Sequence, residues 1–306
     1  MYIANTAVNV KANGIAEYMP RGLRRYFYKA DLAGAYEIRL SPTRPVTLYF
    51  PNTRLYLSQK GNLTPSPVGA VRAMSADITE ALEIATRSSL YSMDADMTNG
   101  FLTVEGGHRI GICGTAVMRD GRIAYVKDIS SLSYRIAHEI KGVSDKIMDA
   151  VMQDGAVRNT LIISPPCAGK TTMLRDMVRN IANTGIRVSV VDERREIGAV
   201  HEGRTAFDLG GADVFTGAPK SEGMLMVLRA MSPEVIVTDE LGGQGDIDAA
   251  ERIINCGTKL IASVHGYDLE QLHKRREMRR LLTSFESFIT LSRREGAGTV
   301  EAVTRL

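Results

Sequence analysis

The chain has 306 residues, 44% of them apolar and 24% charged, with a formal net charge of +3. That is the composition of a soluble globular protein of one large domain or two ordinary ones, and so small a charge does not by itself imply nucleic acid or a membrane surface. Three cysteines, Cys113, Cys167 and Cys256, show no CxxC or Cys/His spacing, which argues against zinc and for a reducing compartment. No apolar stretch is long enough to span a bilayer and no signal pattern opens the chain, so the expected location is cytoplasmic, with any membrane contact peripheral.

In the N-terminal half, Glu37–Leu40, Val46–Phe50 and Arg54–Leu57 read as short strands. A helix is expected from Ser75 to Met93. Strands follow at Phe101–Glu105, Arg109–Val117 and Arg122–Val126, punctuated by Gly106, Gly107, Gly114 and Gly121. Strands in runs, without regular helical alternation, indicate an α+β domain. The expected organisation is an N-terminal α+β domain with linker over 1–140 and a second domain over 141–306.

The second half alternates. Apolar runs at Thr160–Ser164, Val188–Asp192, Val235–Asp239 and Lys259–Val264 are separated by helical patterns at Thr171–Asn183, Ser221–Met231, Asp246–Cys256 and Leu269–Ser284. Near-continuous apolar strands between helices predict a mainly parallel, doubly wound sheet covered on both faces. Phe288–Ser292 and Thr299–Thr304 are expected to close it as an antiparallel hairpin around Gly296 and Gly298.

The first of these strands runs into Ser164, Pro165, Pro166, Cys167, Ala168, Gly169, Lys170, Thr171 and Thr172, followed by a helix with Met173, Leu174, Met177, Val178 and Ile181 on one face. Strand, loop, Gly-Lys-Thr, helix is the setting of a phosphate-binding loop, or Walker A motif. Its backbone N–H groups and helix N-terminus cradle phosphates. Lys170 would reach the β/γ-phosphates of ATP and the Thr171 hydroxyl would ligate Mg²⁺. Ser164 stands where the usual pattern has glycine, and a serine forced to positive φ carries a cost that glycine does not.

Asp239 and Glu240 end the third strand as a Walker B motif would, Asp239 to hold Mg²⁺ and Glu240 to orient or deprotonate water. Alone, the two acids would read as a solvated strand end. Asp192 and Glu193 end the second strand, and Glu193 is a second candidate for the water. His265 ends the fourth, where a polar side chain can sense the γ-phosphate. Arg109 and Arg135 have the geometry for phosphate but serve equally as surface ion pairs. The basic run His273, Lys274, Arg275, Arg276, Arg279 and Arg280 lies on an expected helix. Most such runs are solvated faces, and no aromatic residues interleave it as a nucleic-acid platform would need.

Together these motifs resemble the stage III sporulation protein AA family: the loop from Ser164, the segment from Val191 through Asp192 and Glu193, Val237 through Glu240, and Ala262 through Gly266. The N-terminal stretches Gly107–Gly114 and Ile129–Ala137 fit it as well. That family is in turn similar to the ATPases of type II and type IV secretion systems. The resemblance implies a RecA-like P-loop ATPase with ATP and Mg²⁺, working as a hexameric homo-oligomer. It would sit peripherally at the membrane on the mother-cell side and serve a sporulation channel between mother cell and forespore. It also implies that Arg109 and Arg135 approach phosphates, that Asp192 and Glu193 form an acidic box, and that His265 is a histidine box. The Asp192-Glu193-Arg194 segment is similar as well to hexameric RNA translocases, whose water-activating acid lies there, so Glu193 competes with Glu240. Two rival readings remain: an ATP-binding scaffold with little turnover, and a nucleic-acid translocase, against which the weak net charge argues.

Overall fold

A computed structural model describes residues 12–86, 100–201 and 203–306. These fall into two compact units, one ending at Glu139 and the other beginning at Ile140.

The first unit is a seven-stranded sheet, in which the described pairings are antiparallel, with helices packed on it. In chain order its helices are α1 (Ala12–Ile15), α2 (Arg21–Phe27) and α3 (Ser75–Thr86). Its strands are β1 (Glu37–Leu40), β2 (Thr47–Phe50), β3 (Thr53–Leu57), β4 (Leu63–Thr64), β5 (Phe101–Val104), β6 (His108–Arg119) and β7 (Arg122–Arg135). The spatial order is β4-β3-β2-β1-β7-β6-β5. Along β1 the alternation is strict. Ile38 and Leu40 face the core, where they join Leu48, Ile110, Leu132 and Tyr134, and α3 adds Ile78, Ala81 and Ala85. The part of the expected helix beyond Thr86 lies outside the described residues.

Strand β7 runs nine residues past its expected end at Val126, to Arg135. Asp128, just past that point, has a left-handed φ of 48°. In the structure it belongs to a register shift between Cys113 and Thr115. Gly114 makes that shift passable, because a Cβ there would meet the Lys127 carbonyl oxygen at 2.5 Å. Beyond the shift the β6–β7 ribbon leaves Met118, Ile123 and Tyr125 exposed.

The second unit opens with α4 (Met148–Val151) and the small hairpin β8 (Met152–Gln153) and β9 (Ala156–Val157). Then come β10 (Thr160–Ser164), α5 (Lys170–Ala182), β11 (Val188–Asp192), β12 (Asp213–Thr216), α6 (Lys220–Met231), β13 (Val235–Thr238), α7 (Gln244–Asn255) and β14 (Lys259–His265). The last elements are α8 (Leu269–His273), α9 (Arg279–Leu282), β15 (Ser287–Ser292) and β16 (Thr299–Arg305). The sheet order is β12-β11-β13-β14-β10-β15-β16, parallel up to β15 and antiparallel at the β16 edge. Leu161 and Ile163 face one core with α6, α7, α8 and α9, while Ile162 faces another with α5. Burial on both faces is why these strands read as unbroken apolar runs.

Two elements depart from expectation. Strand β12 was not anticipated. It is an edge strand, only partly buried, and so needs no apolar run. The helix expected over Leu269–Ser284 is broken into α8 and α9, and Lys274, Arg275 and Arg276 lie in the turn between them. Leu272 and Met278 are both buried but six residues apart, a spacing that one helical face does not supply. The turn resets the phase, and the Arg279 guanidinium donates to the freed His273 carbonyl at 2.9 Å.

Candidate nucleotide site

Parallel pairing aligns the carboxyl ends of four strands. Ser164 of β10 lies opposite His265 of β14, Thr238 of β13 opposite Ala262, and Val191 of β11 opposite Thr238. The residues just past those ends, including Asp239 and Glu240, therefore gather at one sheet edge, the edge where open α/β sheets bind ligands. Strand β14 stands between β10 and β13, so His265 is interposed between the phosphate loop and the paired acids.

The loop carries its strain elsewhere than expected. Ser164 keeps the extended backbone of β10 and is fully buried, its hydroxyl donating to the Pro165 carbonyl at 2.9 Å. The anticipated cost of serine at positive φ does not arise there. The left-handed residues are Cys167, at φ 59°, and Gly169, at φ 85°. Gly169 precedes the first residue of α5. A Cβ on it would lie 2.8 Å from the Gly298 nitrogen, so glycine is required twice, by conformation and by space. Gly298, in the β15–β16 loop, donates its N–H to the Ala168 carbonyl at 2.9 Å and holds the phosphate loop from that side. Helix α5 buries Met173, Leu174, Met177, Val178 and Ile181 as its pattern requires.

At the centre of the edge is Glu240. One carboxylate oxygen lies 3.3 Å from Lys170 Nζ and the other 3.2 Å from His265 Nε2. Burial opposes ionisation of Glu240, but the charges of Lys170, His265 and Arg194 outweigh it and hold the carboxyl below its ordinary value. Asp239 is buried, and burial pushes its carboxyl up despite the nearby Lys220 ammonium, 3.1 Å from Oδ1. That oxygen accepts no directed hydrogen bond. Thr171 stands on the first turn of α5, following Lys170.

Asp192 and Glu193, the two residues of the expected acidic box, stand in different surroundings. Asp192 is fully buried, and its two oxygens accept the backbone N–H groups of Glu196 at 2.7 Å and Gly198 at 2.8 Å. Burial raises its pKa against those hydrogen bonds. It staples the loop after β11, with help from Arg175, which donates to the carbonyls of Glu196 and Ile197. Glu193 is exposed. Arg109 and Arg135 belong to the first unit, directly opposite each other across β6 and β7, with the Arg109 guanidinium 5.2 Å from the Phe101 ring.

One participant was missed. Lys220, the first residue of α6, is buried and donates to the Glu240 carbonyl at 2.5 Å as well as facing Asp239. A cation at a helix N-terminus opposes the helix dipole. That anomaly, right after Pro219, was the available signal that the side chain has an anionic partner.

The donor set suits magnesium. The Asp239 carboxylate and Thr171 hydroxyl are hard oxygen donors of the kind magnesium takes, and the Lys220 ammonium already occupies a cation's place beside Asp239 Oδ1. Among the described residues no cluster of three or more His, Cys, Asp or Glu forms a dedicated metal cage. Magnesium bound through one or two protein oxygens plus phosphates needs none.

Comparison with known proteins gives the family and the fold. A family model described as "Sporulation stage III, protein AA" matches residues 10–305. Stage III sporulation protein AA of Bacillus subtilis is 32% identical over 303 residues, covering 95% of this chain and 94% of its own length. Among solved structures, the ATPase DotB of Legionella pneumophila superposes with a TM-score of 0.55 at 14% identity, covering 89% of this chain and 76% of that one. The pilus retraction motor PilT, solved with bound ADP, gives 0.54 at 15% identity, over 84% and 74%. At such identities the likeness establishes the fold: a RecA-like P-loop domain with a mainly parallel, doubly wound sheet, together with a smaller N-terminal α+β domain.

Proposed function

This chain belongs to the sporulation stage III protein AA family, and we propose that it is a Mg-dependent ATP hydrolase of the secretion-ATPase type. It powers assembly of, or transport through, a membrane channel between mother cell and forespore. It works as a homo-oligomeric, hexameric ring in the cytoplasm, peripheral to the membrane on the mother-cell side. Among the described residues no helix is long and apolar enough to cross a membrane. The ATPase domain spans 141–306, and Arg109 and Arg135 of the N-terminal domain approach phosphates.

The observation that carries this reading is Glu240 held between Lys170 and His265, one residue past Asp239. Bound magnesium supplies positive charge to the phosphate oxygens, held by Thr171 and Asp239. Lys170 exchanges its contact with Glu240 for the β/γ-phosphates, while the loop N–H groups from Cys167 to Thr172 cradle them. Glu240, kept ionised by its cationic neighbours, accepts a hydrogen bond from the attacking water and takes its proton. His265 touches the same carboxylate and registers whether the γ-phosphate is present.

The test is phosphate release by purified protein. Lys170→Ala is expected to lose ATP binding, and Glu240→Gln to keep binding and lose turnover. Normal hydrolysis by Glu240→Gln would transfer the water-positioning role to Glu193. Specific activity that rises with protein concentration supports sites shared between subunits, and ATP-dependent stabilisation without phosphate release would instead mark an ATP-binding scaffold.

A further inference from the structure

The ammonium of Lys220 is buried at the positive end of a helix, where desolvation and the helix dipole both oppose a cation. Two oxygens hold it there: the Asp239 carboxylate Oδ1 at 3.1 Å and the neutral Glu240 carbonyl oxygen at 2.5 Å. The two Lys220 contacts therefore fall on the acid assigned to the metal and on the main chain of the acid assigned to the water. Lys170, the phosphate lysine, is paired separately with the Glu240 carboxylate, so the two lysines of the site have different partners.

We propose that Lys220 is a positioning residue that acts as a tethered cation at the metal seat, neutralising Asp239 so that ATP can enter before the divalent ion does. The inference rests on the ATP-site reading above. A carboxylate left without a counter-ion in this buried place would repel the incoming triphosphate. With Lys220 beside it, the repulsion is cancelled in advance, and the ion that arrives with or after the nucleotide meets a competing charge. The second contact fixes the Glu240 peptide, so the same lysine holds the carboxylate that faces Lys170 and His265. A merely structural lysine would change ATP affinity equally with and without metal. A tethered counter-ion changes the two differently.

The experiment is calorimetric titration of the full chain with ATP, in Mg²⁺ and in EDTA, for wild type, Lys170→Ala, Lys220→Met, Lys220→Gln and Lys220→Arg. The expected result is that Lys220→Met and Lys220→Gln raise the ratio of affinity in Mg²⁺ to affinity in EDTA at least tenfold, through loss of metal-free binding, while Lys220→Arg restores the wild-type ratio. Lys220→Gln keeps a donor for the Glu240 carbonyl and carries the test if Lys220→Met does not fold. A ratio within twofold of wild type in the neutral variants, with ATP binding still dependent on Lys170, overturns the role of Lys220 alone. ATP binding that is absent from wild type, or indifferent to Lys170→Ala, overturns the nucleotide site and this inference with it.

Discussion

The two units bury polar groups in opposite ways. Among the described residues, the first unit's buried polar and charged set is His108, together with the hydroxyl of Tyr134, which donates to the Tyr18 carbonyl. The second buries Arg175, Asp176, Asp192, Lys220 and Asp239. The difference follows from the sheets. An antiparallel sheet brings alternate strand ends to each edge, and its chain reverses through short polar turns. A parallel sheet sends its carboxyl ends to one edge, so charges placed just beyond the strands become neighbours. Inside the fold they survive only as ion pairs or hydrogen-bonded to the backbone. The buried charges of the second unit meet that condition: Lys220 faces Asp239, Arg175 spans two carbonyls, and Asp176 accepts from Gly142, Ser144 and Arg179.

The comparison breaks most readily at Glu240. If the gathered charges serve hydrolysis, Glu240→Gln should lower turnover by roughly 10²–10⁴-fold, the range for losing a general base, with ATP affinity kept within severalfold. Steady-state phosphate release beside ATP titration measures both. An effect on binding alone would reduce the edge to a nucleotide cradle.

Next in size is His108, which tests whether the first unit depends on a neutral interior. Its Nδ1 accepts the Ala137 N–H at 3.1 Å, so the proton sits on Nε2, a buried atom without a hydrogen-bond partner. Burial first, and the charge of His138 second, lower its pKa to about 4. The unfolded chain binds that proton near the ordinary value of about 6.5. Between those values the unfolded state carries more protons, so stability is full above pH 6.5 and falls as the pH drops towards 4. The loss should be about 3 kcal/mol by linkage. Urea unfolding of the full chain across that window should show the slope, and His108→Gln should flatten it. An unchanged slope in the variant assigns the acid sensitivity elsewhere.

Gly169→Ala comes third. Left-handed backbone in a residue with a Cβ costs roughly 1–3 kcal/mol, and the collision with the Gly298 nitrogen adds to it. The expected outcome is a lower melting temperature and weakened ATP binding. Normal binding would mean that the loop can shift without loss of its phosphate geometry. The smallest effect is at Cys167. Relieving its left-handed strain with Cys167→Gly should stabilise the protein by about 1 kcal/mol or less, since glycine gives back part of the gain as chain entropy. Thermal denaturation decides, and a destabilised variant would show that the thiol contributes packing despite its exposure.

What the chain discloses before folding follows the same division. The parallel strands were legible because burial on both faces leaves apolar runs, and the placing of Asp239, Glu240 and His265 at strand ends followed from those runs. Strand β12 was not legible, because an edge strand has only one buried flank. The break between α8 and α9 was hidden by a basic run that suits a helix surface as well as a turn. Ser164 was read as the loop's weak point from a pattern. The strain falls three residues later, a matter of local dihedral angles that no spacing reports. Lys220 depends on a partner nineteen residues away on another element, and such pairings exist only after the sheet has formed.

One backbone hydrogen bond has a use of its own. The Gly298 amide is held by the Ala168 carbonyl, inside the phosphate loop and on the far side of the sheet from β13. Any displacement of that loop by an incoming anion must stretch or release this one proton. Its solvent-exchange rate is therefore a single-site clock for loop motion, readable without a nucleotide label and in a part of the chain that no proposed catalytic variant alters.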